Sequence, residues 1–598
     1  MKRFKYLSNI ALLGLLALCA ASCDDFLTLY PQDRVVEENF WEDKNDLEGV
    51  RYGAYKQMSS TIEHFIIWGD IRSDAYSLNP VYSSSQGNYY TYKKIVEGLL
   101  DSTLTMYDWG SVYTTINYCN KVLSHGDEVL ERDAQFTRTE WDQMKAEMTA
   151  LRALNYFYLL RAFKDIPYTE TVINSDEEVQ AYSATPQMVV LDTLIQDVRK
   201  VAGKGRNRNV QTKDTRGLMT NTSIYALLAE MYLWRSALRE GRGYSEDSVR
   251  MDADSVIYFG QRSLDALATQ NQQIVNSAYD REQTKTDDFD SGLTNAPLIK
   301  NEDMEISYNA KQPVEVSSFS AIFHRGNSDE SMFELQFSED DSRSSGFLHS
   351  FWGHSTGTHF SSSYQAMNSA LGDLINKDSR MWYSCMKYTY DNEREELPEG
   401  YVLKWEDPDF SFNGDKLTAT FRDPSQYHNW IFYRQTDVML MMAEAYAVIG
   451  ELKKCKDIVD AIQKRNMLDQ TTGLSKTSDN NKDKCIDLVM RERLIEFVGE
   501  GKRWFDLVRY AERISGGHNP DPREPEITDG ADGVSKMVTN YLGKGAYSRL
   551  QQNLKNRIKN RYGLYCPIYY MELRANKYLI RQNPVWDRRK GPDTDAQD

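Results

Sequence analysis

The stretch 491–506 holds the most chemical-looking spacing in the chain: Glu492, Glu496 and Glu500 recur every four residues, with Arg503 and Asp506 following Gly501. Residues four apart share a helix face, so Glu492 and Glu496 could stand as the paired carboxylates of an acid–base hydrolase. Carboxylates at helical spacing among arginines more commonly serve as ion-pair partners. The expectation is therefore that Arg491, Arg493 and Arg503 neutralise these acids where two helices meet at Gly501. His349, His354 and His359 recur at intervals of five in a Ser/Gly-rich loop around Trp352. A helical metal pair needs i, i+4 spacing, and no cysteine or acid accompanies these three, so they predict a sugar-facing loop and no metal site. The Asp-rich turns at 287–292, 407–414 and 529–533 lack the glycine and glutamate of an EF-hand and leave room only for an adventitious calcium. No GxSxG, HExxH or GxxxxGK[ST] occurs, and Gly543-Lys544-Gly545 is too short for a phosphate loop. No catalytic residue is assigned, although a two-carboxylate glycosidase leaves no motif to find.

Aromatic residues make up 12% of the chain, with 38 Tyr, 22 Phe and 11 Trp. Ring faces accept the C–H faces of sugars, and neighbouring charged groups bridge hydroxyls. The loop after Trp68 carries both, in Asp70, Arg72, Asp74, Tyr76, Tyr82, Tyr89 and Tyr90; Phe351, Trp352 and His354 form a second group, and Trp382 with Tyr383 a third. The predicted ligand-binding set is Asp74, Tyr76, Tyr82, Tyr89, Tyr90, Trp352 and His354. Trp109, Trp141, Trp234 and Trp504 sit in helical patterns and are predicted core.

Helices must position these groups. Residues 140–163 keep Met148, Leu151, Leu154, Phe157 or Tyr158, and Phe163 on one wide apolar face, and Pro167 stops the helix. Segments 219–238, 252–268, 434–449, 451–466, 481–498 and 502–513 read the same way. Two of them share a pattern, Leu227-Leu228-Ala229-Glu230-Met231-Tyr232 and Met441-Met442-Ala443-Glu444-Ala445-Tyr446, each followed by glycine (Gly241 and Gly243; Gly450) and a second amphipathic helix. Small residues with a tyrosine one turn on suit close helix pairing, so the unit is tetratricopeptide-like. Excursions at 69–104, 270–430 and 514–550 are rich in Gly, Ser, Asn, Asp and Pro, with short β-prone runs at 332–337 and 401–405. Loops that long usually carry function.

The N-terminus fixes the compartment. Lys2, Arg3 and Lys5 precede an apolar run from Ile10 to Ala21, too short to span a bilayer and suited to a signal peptide. Ala20-Ala21-Ser22 then leads into Cys23, which resembles the lipobox of bacterial lipoproteins, so Cys23 is the expected lipidation site and the membrane anchor. The formal net charge of −17 repels nucleic acid and anionic lipid. Past Cys23, five cysteines remain (Cys119, Cys385, Cys455, Cys485, Cys566), with no CxxC, which predicts thiols and at most one or two disulfides.

Taken in order, the motifs resemble the SusD/RagB family of Bacteroidetes outer-membrane nutrient-binding lipoproteins. Cys23-Asp24-Asp25-Phe26-Leu27, Pro31, Phe40-Trp41 and Gly53-Ala54-Tyr55 match its opening, and Arg152-Ala153, Tyr156-Phe157 and Asp165-Ile166-Pro167 its first strong helix. Tyr433-Arg434, Ala443-Glu444-Ala445, Gly450, Arg491-Glu492-Arg493, Glu496, Glu500-Gly501 and 503–507 match the C-terminal block, closed by Pro567-Ile568, Glu572-Leu573, Asn576 and 582–586. Lys164 and Val585 stand where the family usually has glycine. The resemblance implies a mostly α-helical fold of tetratricopeptide-like pairs: 1–22 as signal peptide, 23–269 as an N-terminal helical region, and 270–598 as a C-terminal region, loop-rich to 430 and helical from 431. It further implies a surface-exposed outer-membrane lipoprotein that binds glycan and delivers it to a SusC-type TonB-dependent transporter without catalysis or cofactor. A surface glycoside hydrolase and a peptide or protein receptor on the same scaffold are the alternatives.

Overall fold

The computed structural model describes residues 40–79, 88–175, 178, 181–207, 217–276, 298, 318–324, 326–337, 345–352, 358–375, 378–387, 399–406, 408–413, 416–421, 427–466, 481–515, 531–542, 558, 561–576 and 580–587. The expected signal segment 1–22, Cys23, Tyr82, His354 and the turn at 287–292 lie outside the described residues.

Helices dominate, as expected. In the N-terminal part they are α1 (Lys44–Ser59), α2 (Ile62–Ile66), α3 (Tyr89–Val96), α4 (Gly110–Arg132), α5 (Arg138–Phe163), α6 (Gln187–Val201), α7 (Asn221–Gly241) and α8 (Glu246–Asn276). The middle holds α9 (Gly346–Phe351), α10 (Tyr364–Leu371) and α11 (Met381–Ser384), and the C-terminal part α12 (Gln435–Val448), α13 (Leu452–Arg465), α14 (Lys482–Glu496), α15 (Arg503–Arg513), α16 (Ala531–Asn540) and α17 (Tyr570–Ala575). Local chemistry sets several ends. Thr137 and Glu140 form a reciprocal capping box at the start of α5, as Asp43 and Asp46 do at α1. Lys164, directly after α5, has φ +70. That is a left-handed conformation, in which glycine is unstrained and lysine is not.

The tetratricopeptide-like reading holds in the packing: α4 lies against α5, α7 against α8, and α12 against α13. The division at 269/270 falls inside α8, and helices from both sides of it interlock. A Cβ on Gly241, at the end of α7, would stand 1.7 Å from the Glu512 carbonyl oxygen of α15, so no side chain fits at that crossing. Trp109, Trp141, Trp234 and Trp504 are all buried, as their helical settings predict.

Strands are short. One sheet has the order β1 (Tyr76–Leu78), β5 (Phe360–Ser363), β7 (Glu399–Tyr401), β6 (Met386–Lys387). Two-stranded pairs join β10 (Trp430–Arg434) to β4 (Ser331–Leu335), β2 (Ile166–Pro167) to β3 (Ala184–Thr185), and β8 (Pro408–Asn413) to β9 (Lys416–Phe421), all antiparallel. The β-prone run at 332–337 is β4; the run at 401–405 turns after its first residue because Tyr401 ends β7. The excursion at 514–550 contains a helix, α16, that its polar composition hid. All five described cysteines are buried free thiols.

Candidate functional site

The acidic run that occupies the end of α14 and the turn after it is sealed inside the protein. Glu492, Glu496 and Glu500 have at most 2% exposure. Their partners are not the arginines nearest in sequence. Glu496 accepts from Arg434 at 2.7 Å, Arg380 at 2.9 Å and Arg465 at 2.5 Å; Glu500 takes Arg434 and Lys404, each at 2.8 Å; Glu492 takes Arg380 and Gln463. Arg491 instead pairs with Asp487, Arg493 with Asp437 and Asp506, and Arg503 with Asp74. The structural reading of this block therefore stands, with its partners corrected. On a helix, residues one apart point about 100° from each other, so Arg491 and Arg493 cannot face the side that Glu492 and Glu496 present. Burial alone would lift the Glu496 carboxyl, but the guanidiniums of Arg465, Arg434 and Arg380 hold it well below the usual carboxylate range. Burial lowers Lys404 to about 8 despite Glu500 beside it.

Two of the expected ligand-binding residues belong to this interior. Asp74 receives both the Nε and a terminal nitrogen of Arg503 at 2.8 Å and is 6% exposed. Tyr76 donates its hydroxyl to Asp70 at 2.7 Å and accepts the Gly499 N–H. Asp70 also takes the N–H groups of Gly501 at 2.8 Å and Arg503 at 3.1 Å, capping the entry to α15. Burial raises the Asp70 carboxyl to about 7, against the pull of these donors. The helix meeting at Gly501 is real: its φ is +71, and a Cβ on Gly69 would lie 2.0 Å from its carbonyl oxygen. A third expectation also changes. Trp352 is 1% exposed, so it is no stacking platform; it lies 6.1 Å from Tyr76 and meets Phe351 edge-on. Tyr383, of the third aromatic group, is likewise buried.

The structure nevertheless joins the two loop groups that carried these residues. Strand β1 pairs with β5, aligning Tyr76 with Ser362 and Leu78 with Phe360. Above this pair Tyr92 packs on Phe351 at 5.8 Å, Phe360 at 5.1 Å and His359 at 4.8 Å. These buried rings clamp the inner face of α3. Its outer face carries Tyr89, half-buried, and Tyr90, 66% exposed, with ring centres 5.3 Å apart and near perpendicular. Lys93 reaches to 6.0 Å from the Tyr89 ring, and Lys94 pairs with Asp101. Of the expected set, Tyr89 and Tyr90 are the described residues that offer ring surface to a ligand.

A second tyrosine doublet escaped sequence reasoning. Tyr569 and Tyr570, with centres 4.9 Å apart, open α17, and Tyr570 and Met571 stand in solvent. The signal was available: adjacent residues on a helix diverge by about 100°, so a Tyr-Tyr pair at a helix start cannot bury both rings on one face. A shallow, open recess is lined by Asp74, Arg491, Arg503, Asn540 and Tyr541. Its charged groups already serve Arg503–Asp74 and Arg491–Asp487, leaving little polar capacity for a sugar.

Comparison with known proteins agrees with this architecture. A profile described as SusD family matches residues 269–586, and one described as starch-binding associating with outer membrane matches residues 25–233. SusD-like protein P38 of Formosa agariphila is 23% identical over 541 residues, covering 85% of this chain and 92% of the relative. Among solved structures, a SusD superfamily protein from Bacteroides vulgatus superposes with TM-score 0.60 at 16% identity, covering 92% of this chain and 100% of the other. A laminarin-binding SusD-like protein superposes with TM-score 0.56 at 17% identity, covering 91% and 99%. At these identities the structural likeness speaks for the fold.

Proposed function

The chain belongs to the SusD family, and from that premise we propose that it is a non-catalytic glycan-binding lipoprotein of the outer-membrane surface, passing captured oligosaccharide to a SusC-type TonB-dependent transporter. The observation that carries the binding half is the Tyr89–Tyr90 doublet, one ring in solvent and one half-open beside it, on a helix whose inner face is fixed by buried aromatics. Rigid rings are inexpensive to order on binding, so a doublet of this kind can stack on sugar faces with little entropic loss. The match to a starch-binding profile and the laminarin-binding structural relative support the same ligand class. The absence of catalysis is supported by the fate of the acidic pair: Glu492 and Glu496 are buried, Glu492 held by Arg380 and Gln463 and Glu496 by three arginines, out of reach of a glycosidic bond.

Anchoring at Cys23 follows from Ala20-Ala21-Ser22-Cys23. Cys23→Ala should release the protein from membranes; a variant that still fractionates with them and carries labelled fatty acid sinks the lipobox. Transfer to a transporter predicts co-purification with a large outer-membrane barrel in mild detergent. The central test is retardation of the full chain in gels containing individual polysaccharides, with starch and laminarin first. Retardation by one polysaccharide, lost on changing Tyr89 and Tyr90 to alanine, supports the reading, whereas release of reducing sugar would make the protein an enzyme.

A further inference from the structure

Three of the chain's eight histidines gather in the middle region, far from one another in sequence. His324 closes the π-helical turn Ser320–His324, His349 lies on α9, and His428 precedes β10. The His428 ring centre stands 5.4 Å from that of His349 and 6.1 Å from that of His324. Beside them, Nδ1 of His349 lies 3.6 Å from Oε1 of Glu406, too far for a hydrogen bond.

These separations match those of ligands sharing one ion. Nitrogen and carboxylate donors sit about 2.0–2.2 Å from zinc, so two donors at the tetrahedral angle lie about 3.4 Å apart. Imidazole centres stand about 1.1 Å behind their donors, which places two rings on one tetrahedral ion about 5.2 Å apart; the His428–His349 pair meets this at 5.4 Å, and the His428–His324 pair, at 6.1 Å, meets it once the His324 ring turns inward. His428 is the informative member. It is 4% exposed; one ring nitrogen donates to the Phe323 carbonyl, and Nε2 is buried without a hydrogen-bond partner. A ligating histidine commonly donates its second N–H to a backbone carbonyl in this way, fixing the tautomer and leaving a lone pair for metal.

We propose that His349, His428 and Glu406, with His324 completing the shell, bind one divalent transition-metal ion of the zinc class. As the side chains stand, no three donors among the described residues already converge to hold an ion. Binding therefore requires rotation of the rings of His324 and His349, both only partly buried. Imidazoles with one carboxylate suit zinc or cobalt and not calcium, which takes oxygen ligands. Metal would tie the π-helical turn, α9 and the entry to β10 together, stapling the loop-rich middle of the chain. The inference is independent of the glycan reading.

The test uses the full chain with a histidine-free purification tag, stripped by chelator and titrated with Co²⁺, then with Zn²⁺ in competition. One equivalent of Co²⁺ should bind with the visible absorption of a four-coordinate site, be displaced by Zn²⁺, and raise the melting temperature. Glu406→Gln and His428→Gln should each weaken binding by at least about tenfold, and His125→Gln should leave it unchanged. If His428→Gln loses its fold by circular dichroism, His349→Ala, at a partly exposed side chain, takes its place. Failure of the wild-type chain to bind Co²⁺ saturably overturns the proposal, as does one-equivalent binding that survives in His349→Ala with Glu406→Gln.

Discussion

Glu496 and Tyr90 mark opposite fates for residues that both look functional in sequence. Glu496 is a carboxylate with no exposure, held by three guanidiniums from β10, from the end of α13 and from the residue before α11. Tyr90 is an aromatic ring two-thirds in solvent, on a helix backed by Tyr92, Phe351 and Phe360. Charge went inside and rings went outside, the reverse of the usual partition. Around Glu496 every carboxylate meets a cation, so the charges serve to dock separate segments in one geometry, whereas Tyr90 meets Tyr89 edge-on and leaves most of its surface in solvent.

The comparison breaks first at Glu496, where the largest loss of folding stability is expected. Glu496→Gln removes the charge that Arg380, Arg434 and Arg465 share and breaks three buried ion pairs at once, leaving Arg380 to Asp378 and Glu492, Arg434 to Glu500, and Arg465 to Glu330. Breaking a buried ion pair in this way costs about 3–5 kcal/mol. The measurement is the shift in melting temperature, with glycan binding retained in the folded fraction. An unchanged melting temperature together with altered binding would place Glu496 in a ligand site and erase the distinction.

Next comes Trp352, which belongs to the base of the aromatic region and not to its surface. Its ring is 1% exposed beneath Tyr76 and Phe351. Trp352→Ala should therefore open a cavity costing about 3 kcal/mol, comparable to Trp234→Ala in the helical core. Normal melting with lost glycan affinity would return Trp352 to the ligand face.

The ionic interior should also respond to pH in a way the aromatic surface does not. Burial pushes the Glu444 carboxyl up, but Arg509 and Arg513 pull it further down, to about 2; Asp437 is likewise held at about 2 by Lys502 and Arg493 against burial. Carboxyls depressed in the folded state contribute stability that is present above their unfolded values, about 4.5 and 3.8, and lost as pH falls toward 2. For Glu444 the span is worth on the order of 3 kcal/mol. Asp70 has the opposite sign: raised to about 7, it favours the fold at low pH and loses that contribution as pH rises from about 4 through 7. Melting curves of wild type and Glu444→Gln should differ at pH 6 and converge by pH 2. Parallel curves over the whole range would show that Glu444 is not charged in the fold.

How much of this was legible in the sequence divides along the same line. The helix positions could be read because apolar spacing is local: 140–163 became α5, 481–498 became α14, and 502–513 became α15 within a few residues. That the acids at 492–500 are structural could also be read, from helix-face chemistry. Which cations answer them could not, since Arg380, Lys404, Arg434 and Arg465 lie dozens of residues away and arrive only through tertiary packing. Exposure failed for a related reason. Tyr76 and Trp352 sit in loop-like composition, but β1 and β5 pair there and bury one ring against the other. His349 was grouped with its sequence neighbours, while its spatial neighbours are His428 and Glu406.

The smallest effect on folding, and the sharpest on function, is expected at the doublet itself. Tyr90 is mostly exposed, and Tyr89 is half-buried, packing against the edge of the core without being enclosed by it. Surface substitutions away from structural features change stability by no more than about 0.5 kcal/mol. A ring central to a binding surface costs about 2 kcal/mol of affinity when truncated, roughly 30-fold. Tyr89→Ala with Tyr90→Ala should therefore leave the melting temperature within about 1–2 °C of wild type while weakening the cognate glycan at least that much by calorimetry. Tyr570→Ala on α17 is the comparison variant, the outer ring of a second tyrosine doublet, 38% exposed against 66% for Tyr90. Affinity lost at Tyr570 and kept at Tyr89 and Tyr90 would move the binding surface to α17, and affinity lost at both would make the two doublets ends of one extended platform.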